Sequence, residues 1–198
     1  VDLILLYFLA APYFWTKSGE LISRWGYDGS SEVYRTLFCF TVMTLYNAVE
    51  SLPKTIYEKF VIDERHGFNK MTIKLLLTDT VKSTILTILL GGPVIAALVK
   101  IMQWGGPNFY IYVFIFLVIV AFLMMWIVPN FIMPLFNKYE DIEDGSLKTK
   151  IQDLAKSQEF PLKKLYKMDG SKRSAHSNAF LFGFGSNKRI VIFDTLIA

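Results

Sequence analysis

Charged residues are missing from four long stretches of this chain, and the lengths of those gaps set the first reading of its architecture. Between Lys100 and Lys138 lie 37 residues without a charge. Gly105-Gly106-Pro107 breaks that run and leaves Asn108–Phe136 as a predicted helix. At 1.5 Å per residue it would extend roughly 43 Å, more than the ~30 Å hydrocarbon core of a bilayer. It should tilt or project into water, with Pro129 and Pro134 permitting a kink near its end. Ser83–Val99 is a second charge-free run, extended backward to Lys74 as a helix that carries Asp79 and Lys82 and bends at Gly91-Gly92-Pro93. Thr36–Val49 is a third, lengthened by apolar flanks, and Leu3–Trp15 a fourth. The last starts without a methionine and reads as a cut span, not as a signal peptide.

Beyond Asn137 the pattern changes. Ser146–Gln158 places Leu147, Ile151, Leu154 and Ala155 at i, i+4, i+7 and i+8, the period of an amphipathic helix. Asp144 or Ser146 is positioned to cap its start, and Phe160-Pro161 to end it. Leu165–Asp169 predicts a short strand. Asn178–Phe184 and Arg189–Phe193, separated by Gly185-Ser186-Asn187-Lys188, predict an antiparallel hairpin. Asp194 or Thr195 then caps a new helix at Leu196.

Composition sharpens this division. The first 136 residues hold 19 charges and the remaining 62 hold as many, so an apolar part precedes one of ordinary solubility. The expected fold class is mainly α, an integral-membrane multi-helix bundle over 1–136 with spans near 1–15, 34–52, 74–102 and 108–136. A small α+β piece of one helix and antiparallel strands follows over 137–198. Lys54, Lys59, Arg65, Lys70 and Lys74 lie in the connection on the same side as that piece, which assigns that side to the cytoplasm. Asp79 and Lys82, at i and i+3, can pair on one helix face near the membrane interface or face a cavity. A net charge of +4 gives no reason to expect nucleic acid. Cys39 is the single cysteine, which excludes an internal disulfide and a multi-cysteine metal site.

Chemistry is scarce. No phosphate-binding glycine loop is present, and the two histidines, His66 and His176, stand 110 positions apart, so no H-E-x-x-H pair exists. Two strings remain. One is Asp63-Glu64-Arg65-His66-Gly67-Phe68-Asn69-Lys70. The other runs Asp169-Gly170-Ser171-Lys172-Arg173-Ser174-Ala175-His176-Ser177-Asn178-Ala179-Phe180 and resumes at Lys188-Arg189-Ile190-Val191-Ile192-Phe193-Asp194-Thr195-Leu196.

Together with Pro134-Leu135-Phe136-Asn137-Lys138 and Phe160-Pro161-Leu162, these strings resemble the type I CAAX prenyl protease family over essentially the whole chain. The resemblance implies a multi-pass zinc metalloprotease of the endoplasmic reticulum and inner nuclear membrane, its soluble part cytosolic or nucleoplasmic. Such enzymes remove the last three residues of prenylated CAAX proteins. It implies one zinc per protein, held by two histidines of an H-E-x-x-H helix and a distant glutamate, with the motif glutamate as general base. None of those groups occurs in this sequence. The 137–198 piece therefore reads as the truncated first part of a metalloprotease domain, without catalytic or metal-binding residues of its own, and inactive by itself. The residues implied to bind substrate are Asn178, Ala179 and Phe180, on a strand that takes the peptide as an added strand, and His176, which would assist near the metal or orient that strand. Lys172 and Arg173 offer charge to a substrate carboxylate. The implied partners are prenylated CAAX proteins or peptides and membrane lipid. A channel or transporter using Glu50, Asp79 and Lys82, and a membrane scaffold lacking catalysis, are the competing readings.

Overall fold

A computed structural model describes residues 2–183 and 185–197, with side chains from residue 12 onward. The chain divides into two units, Val1–Lys54 with Leu77–Val120 and Thr55–Leu76 with Ala121–Ala198.

The helices are α1 (Asp2–Arg24), α2 (Glu32–Tyr57), α3 (Ile73–Trp104), α4 (Phe109–Ile127), α5 (Met133–Phe136), α6 (Ser146–Ser157) and α7 (Asp194–Ile197). Among the described residues, two helical stretches are long and apolar enough to cross a membrane, Ile73–Trp104 and Gly106–Phe136. The second is the expected 108–136 helix with an altered pitch. After α4 the chain winds as a π-helical turn over Val128–Ile132 before α5 resumes. Pro129 supplies no N–H to the ladder. The Asn130 side chain folds back on the same turn, its Nδ2 donating to the Trp126 carbonyl at 2.7 Å. α3 runs unbroken through Gly91-Gly92-Pro93.

In the first unit, Arg35 of α2 donates from Nε to the Gly29 carbonyl at 2.6 Å, and its guanidinium lies 5.7 Å from the Trp15 ring centre. Gln103 Nε2 donates to Glu32 Oε2 at 2.8 Å, joining the end of α3 to the start of α2. Gly91 sits against Phe40: a β-carbon there would come 2.8 Å from the ring's Cζ.

The second unit holds a four-stranded sheet, β1 (Tyr139–Asp141), β2 (Leu162–Met168), β3 (Ala179–Phe182) and β4 (Lys188–Phe193), in the order β1-β2-β4-β3. β3 and β4 form the expected antiparallel pair, Ala179 opposite Ile192 and Phe182 opposite Arg189. Phe184, the expected last strand residue, lies outside the described residues. The sheet as a whole is mixed: beside that antiparallel hairpin, β2 and β4 run parallel, Leu165 beside Ile190 and Met168 beside Phe193. β1 adds antiparallel to β2. Alternating side chains put Ile190 and Ile192 of β4 on one face, where they pack with Ile142, Leu165 and Ile151 of α6. Only part of the predicted α6 stripe is covered, since Ala155 is buried while Leu154 is 63% exposed. Neither Asp144 nor Ser146 caps α6. Gly145 holds that position without a side-chain bond, and Asp144 pairs instead with Lys148 at 2.7 Å.

Candidate functional site

β3 has β4 on one side and forms one edge of the sheet, so its outer backbone groups are placed for a further strand. Asn178 stands immediately before it. Its carbonyl accepts the Phe193 N–H at 3.0 Å, which registers the strand start on β4. Its side-chain Oδ1 accepts the Ala179 N–H at 2.8 Å. An oxygen must face that N–H, so the amide NH2 of Asn178 is what remains to offer a peptide carbonyl. Asn178 and Ala179 are exposed and Phe180 is half-buried.

On the Phe180–Phe182 side the strand faces a cleft of about 580 Å³, walled by Met124, Met125, Val128, Pro129 and Met133. A neighbouring cavity of about 450 Å³ is lined in part by Asn130, Asn137, Tyr139 and Arg189. Burial pushes the Tyr139 hydroxyl up to about 12, helped by the negative charge of Asp169, so it stays protonated across the physiological range.

The segment leading into β3 is tied at both ends. Thr195 donates from Oγ1 to the His176 carbonyl at 3.0 Å, and Ser177 Oγ to the Thr195 carbonyl at 2.7 Å. Asp194 accepts from the Ser171 hydroxyl and from its N–H, the latter at 2.8 Å. Arg173 forks onto the end of α5, donating to Asn137 Oδ1 at 2.7 Å and to the Phe136 carbonyl at 2.8 Å. Lys172 pairs with Asp169. Both cations are thus engaged with the protein.

The two motif strings meet. Asn69 and Ser174 form an antiparallel bridge, the Ala175 N–H donates to the Phe68 carbonyl at 2.9 Å, and the rings of Phe68 and His176 stack 4.0 Å apart. Sequence reasoning named both strings but not their contact, for a loop motif carries no pairing signal. It missed Arg189 as a side chain of the wall, which donates to Asn130 Oδ1 at 3.0 Å. Among the described residues no three of His, Cys, Asp and Glu converge to hold a metal ion.

Comparison with known proteins agrees with this layout. Residues 1–138 match the family described as CAAX prenyl protease N-terminal, five membrane helices, and residues 141–198 match Peptidase family M48. The helical part is accordingly a membrane domain. A CAAX prenyl protease 1 homolog of Arabidopsis thaliana is 46% identical over 197 residues, covering 100% of this chain and 46% of that protein. The Homo sapiens homolog is 40% identical over 194 residues, 98% of this chain and 41% of that protein. The crystal structure of S. mikatae Ste24p superposes with a TM-score of 0.89 at 40% identity, covering 99% of this chain and 46% of that one. The chain thus spans about half the length of the relatives it matches.

Proposed function

The chain belongs to the CAAX prenyl protease family of M48 peptidases, and from that premise we propose that it forms the membrane wall and substrate-strand portion of a zinc metalloendopeptidase. The reaction is removal of the last three residues of prenylated CAAX proteins. The zinc and its H-E-x-x-H ligands belong to the part of the enzyme outside these residues. The 1–136 portion crosses the bilayer near 1–15, 34–52, 74–102 and 108–136, and 137–198 begins the cytosolic protease domain. The membrane is that of the endoplasmic reticulum and the inner nuclear membrane.

One observation carries the substrate role: β3 is a sheet edge, entered through the exposed Asn178 and Ala179, and its Phe180, Leu181 and Phe182 line an apolar cleft. A peptide added there pairs its backbone with β3, which suits extended C-terminal tails. The Asn178 amide donates to a substrate carbonyl, and His176 orients the strand. A channel or transporter leaves this edge without a use, and neither that reading nor a scaffold draws support from the relatives.

The test uses the full-length protein and a farnesylated peptide ending in a CAAX sequence. Release of the C-terminal tripeptide is expected, and Asn178→Ala should lower kcat/KM about tenfold, the worth of one hydrogen bond to substrate. Absence of release from the intact protein overturns the activity. Unchanged cleavage in the variant removes Asn178 from the substrate site.

A further inference from the structure

We propose that Phe68 is a positioning residue, which sets the placement of the substrate edge β3 by holding the ring of His176. This rests on the reading of β3 as the substrate strand.

The loop that carries Phe68 is built to be stiff. It leaves the π-helical turn Glu58–Asp63 by a tight reversal in which the Asp63 carbonyl accepts from the N–H groups of Phe68 at 2.9 Å and Asn69 at 3.3 Å. Gly67 has φ +72°, the left-handed region that a β-carbon disfavours. Asn69 closes the loop twice: its Nδ2 donates to Glu64 Oε2 at 2.9 Å, and its Oδ1 accepts the Met71 N–H at 2.9 Å. His66 Nδ1 lies 2.8 Å from the Ile62 carbonyl, which can only accept, so that nitrogen carries the proton.

From this base the loop reaches the segment before β3. The Lys70 N–H donates to the Arg173 carbonyl at 3.3 Å and the Ala175 N–H to the Phe68 carbonyl at 2.9 Å, around the Asn69–Ser174 bridge. The Phe68 ring then covers His176, centroids 4.0 Å apart and planes 26° from parallel, with His66 on a nearly parallel plane 6.3 Å from Phe68. His176 is two residues before Asn178. Its carbonyl is held by Thr195, so the Phe68 contact fixes the remaining freedom of the ring and of the turn into β3.

A structural aromatic would be expected in a core. Phe68 is 38% exposed and His176 is exposed, so the stack buries little apolar surface. Its geometry holds one thing in place, the approach to the edge strand. Small displacements of a bound peptide relative to a reacting centre are felt strongly in rate.

The test compares Phe68→Leu, which keeps apolar bulk, with Phe68→Tyr, which keeps the flat ring, in the full-length enzyme. Phe68→Leu should lower kcat about tenfold with KM nearly unchanged, and Phe68→Tyr should restore kcat. His176→Leu should cost as much, and the double variant Phe68→Leu/His176→Leu no more than either single one. Amide hydrogen exchange at Ala175 should accelerate in Phe68→Leu and not in Phe68→Tyr. That readout is independent of turnover: faster exchange without any cleavage by wild type sinks the protease reading and leaves the contact standing. Equal kcat for Leu and Tyr variants, or multiplied losses in the double variant, overturns the proposal.

Discussion

Arg189 of β4 donates from Nη1 to the Oδ1 of Asn130 at 3.0 Å, which places the side chain of the central strand on the π-helical turn Val128–Ile132. The same guanidinium lies 5.5 Å from the Phe182 ring centre, so one residue spans strand, edge and helix end. Arg189→Met removes a charged donor and leaves Asn130 Oδ1 unpaired, a loss of about 1.5–3 kcal/mol. A lowered Tm in detergent is expected, with Arg189→Lys intermediate because an ammonium lacks the planar fork. Equal melting of Arg189→Met and the parent refutes this tie.

Gly91 admits Phe40 close to the α3 backbone, and a β-carbon would stand 2.8 Å from Cζ. Alanine favours the helix by roughly 1 kcal/mol, while overpacking costs about 1–3 kcal/mol. Gly91→Ala alone should therefore be neutral to destabilising. In a Phe40→Leu background the overlap is gone, and the same substitution should stabilise. Thermal melts of the four proteins decide it, and a stabilising effect in both backgrounds contradicts the close approach.

Burial works to raise the Asp194 carboxyl, but hydrogen bonds from the Ser171 hydroxyl and N–H and the Thr195 N–H, with the charge of Lys167, hold it below the usual aspartate value of 3.8. A carboxylate depressed on folding adds stability that is complete above its unfolded pKa and disappears as pH falls through the folded one. The protein should lose stability as pH drops below about 3.8. Asp194→Asn should be less stable at pH 6 and should not share that part of the acid loss. Parallel Tm–pH curves for the two proteins would refute the role.

The Tyr139 hydroxyl is buried with no hydrogen-bond partner among the described residues. Removing an unsatisfied buried polar atom relieves a desolvation penalty of about 1–3 kcal/mol. Tyr139→Phe is expected to hold or raise the melting temperature, and a clear drop would reveal a bond to that oxygen.

The elements that sequence reveals here are those with a local signal. The charge-free run after Lys100 announces the helix through Phe136, and Gly185-Ser186-Asn187 announces the hairpin of β3 and β4. Pro129 marks where the pitch changes, though not that the change is a π-helical turn. The parallel pairing of Leu165 with Ile190 is invisible, because antiparallel and parallel strands share a period of two. β1 has three residues and no alternation to detect. At the site, Asn178 stands out as an odd residue to begin a strand. Phe68, Arg173 and Arg189 act through partners 108, 36 and 59 positions away, at His176, Asn137 and Asn130, and such distances leave no trace in spacing.

The place of β4 also sets the order of events during synthesis. β2 and β3 both leave the ribosome before the strand that pairs with each of them, and β4 closes a parallel ladder with one and an antiparallel ladder with the other. Until Phe193 has emerged, both strands wait with open edges, a state prone to wrong pairing. The hairpin partner lies only a few residues behind β3, so that ladder closes quickly, while the parallel one must close the longer loop. A stall that leaves β3 outside the ribosome and β4 still within it would therefore hold the nascent protein in this aggregation-prone state.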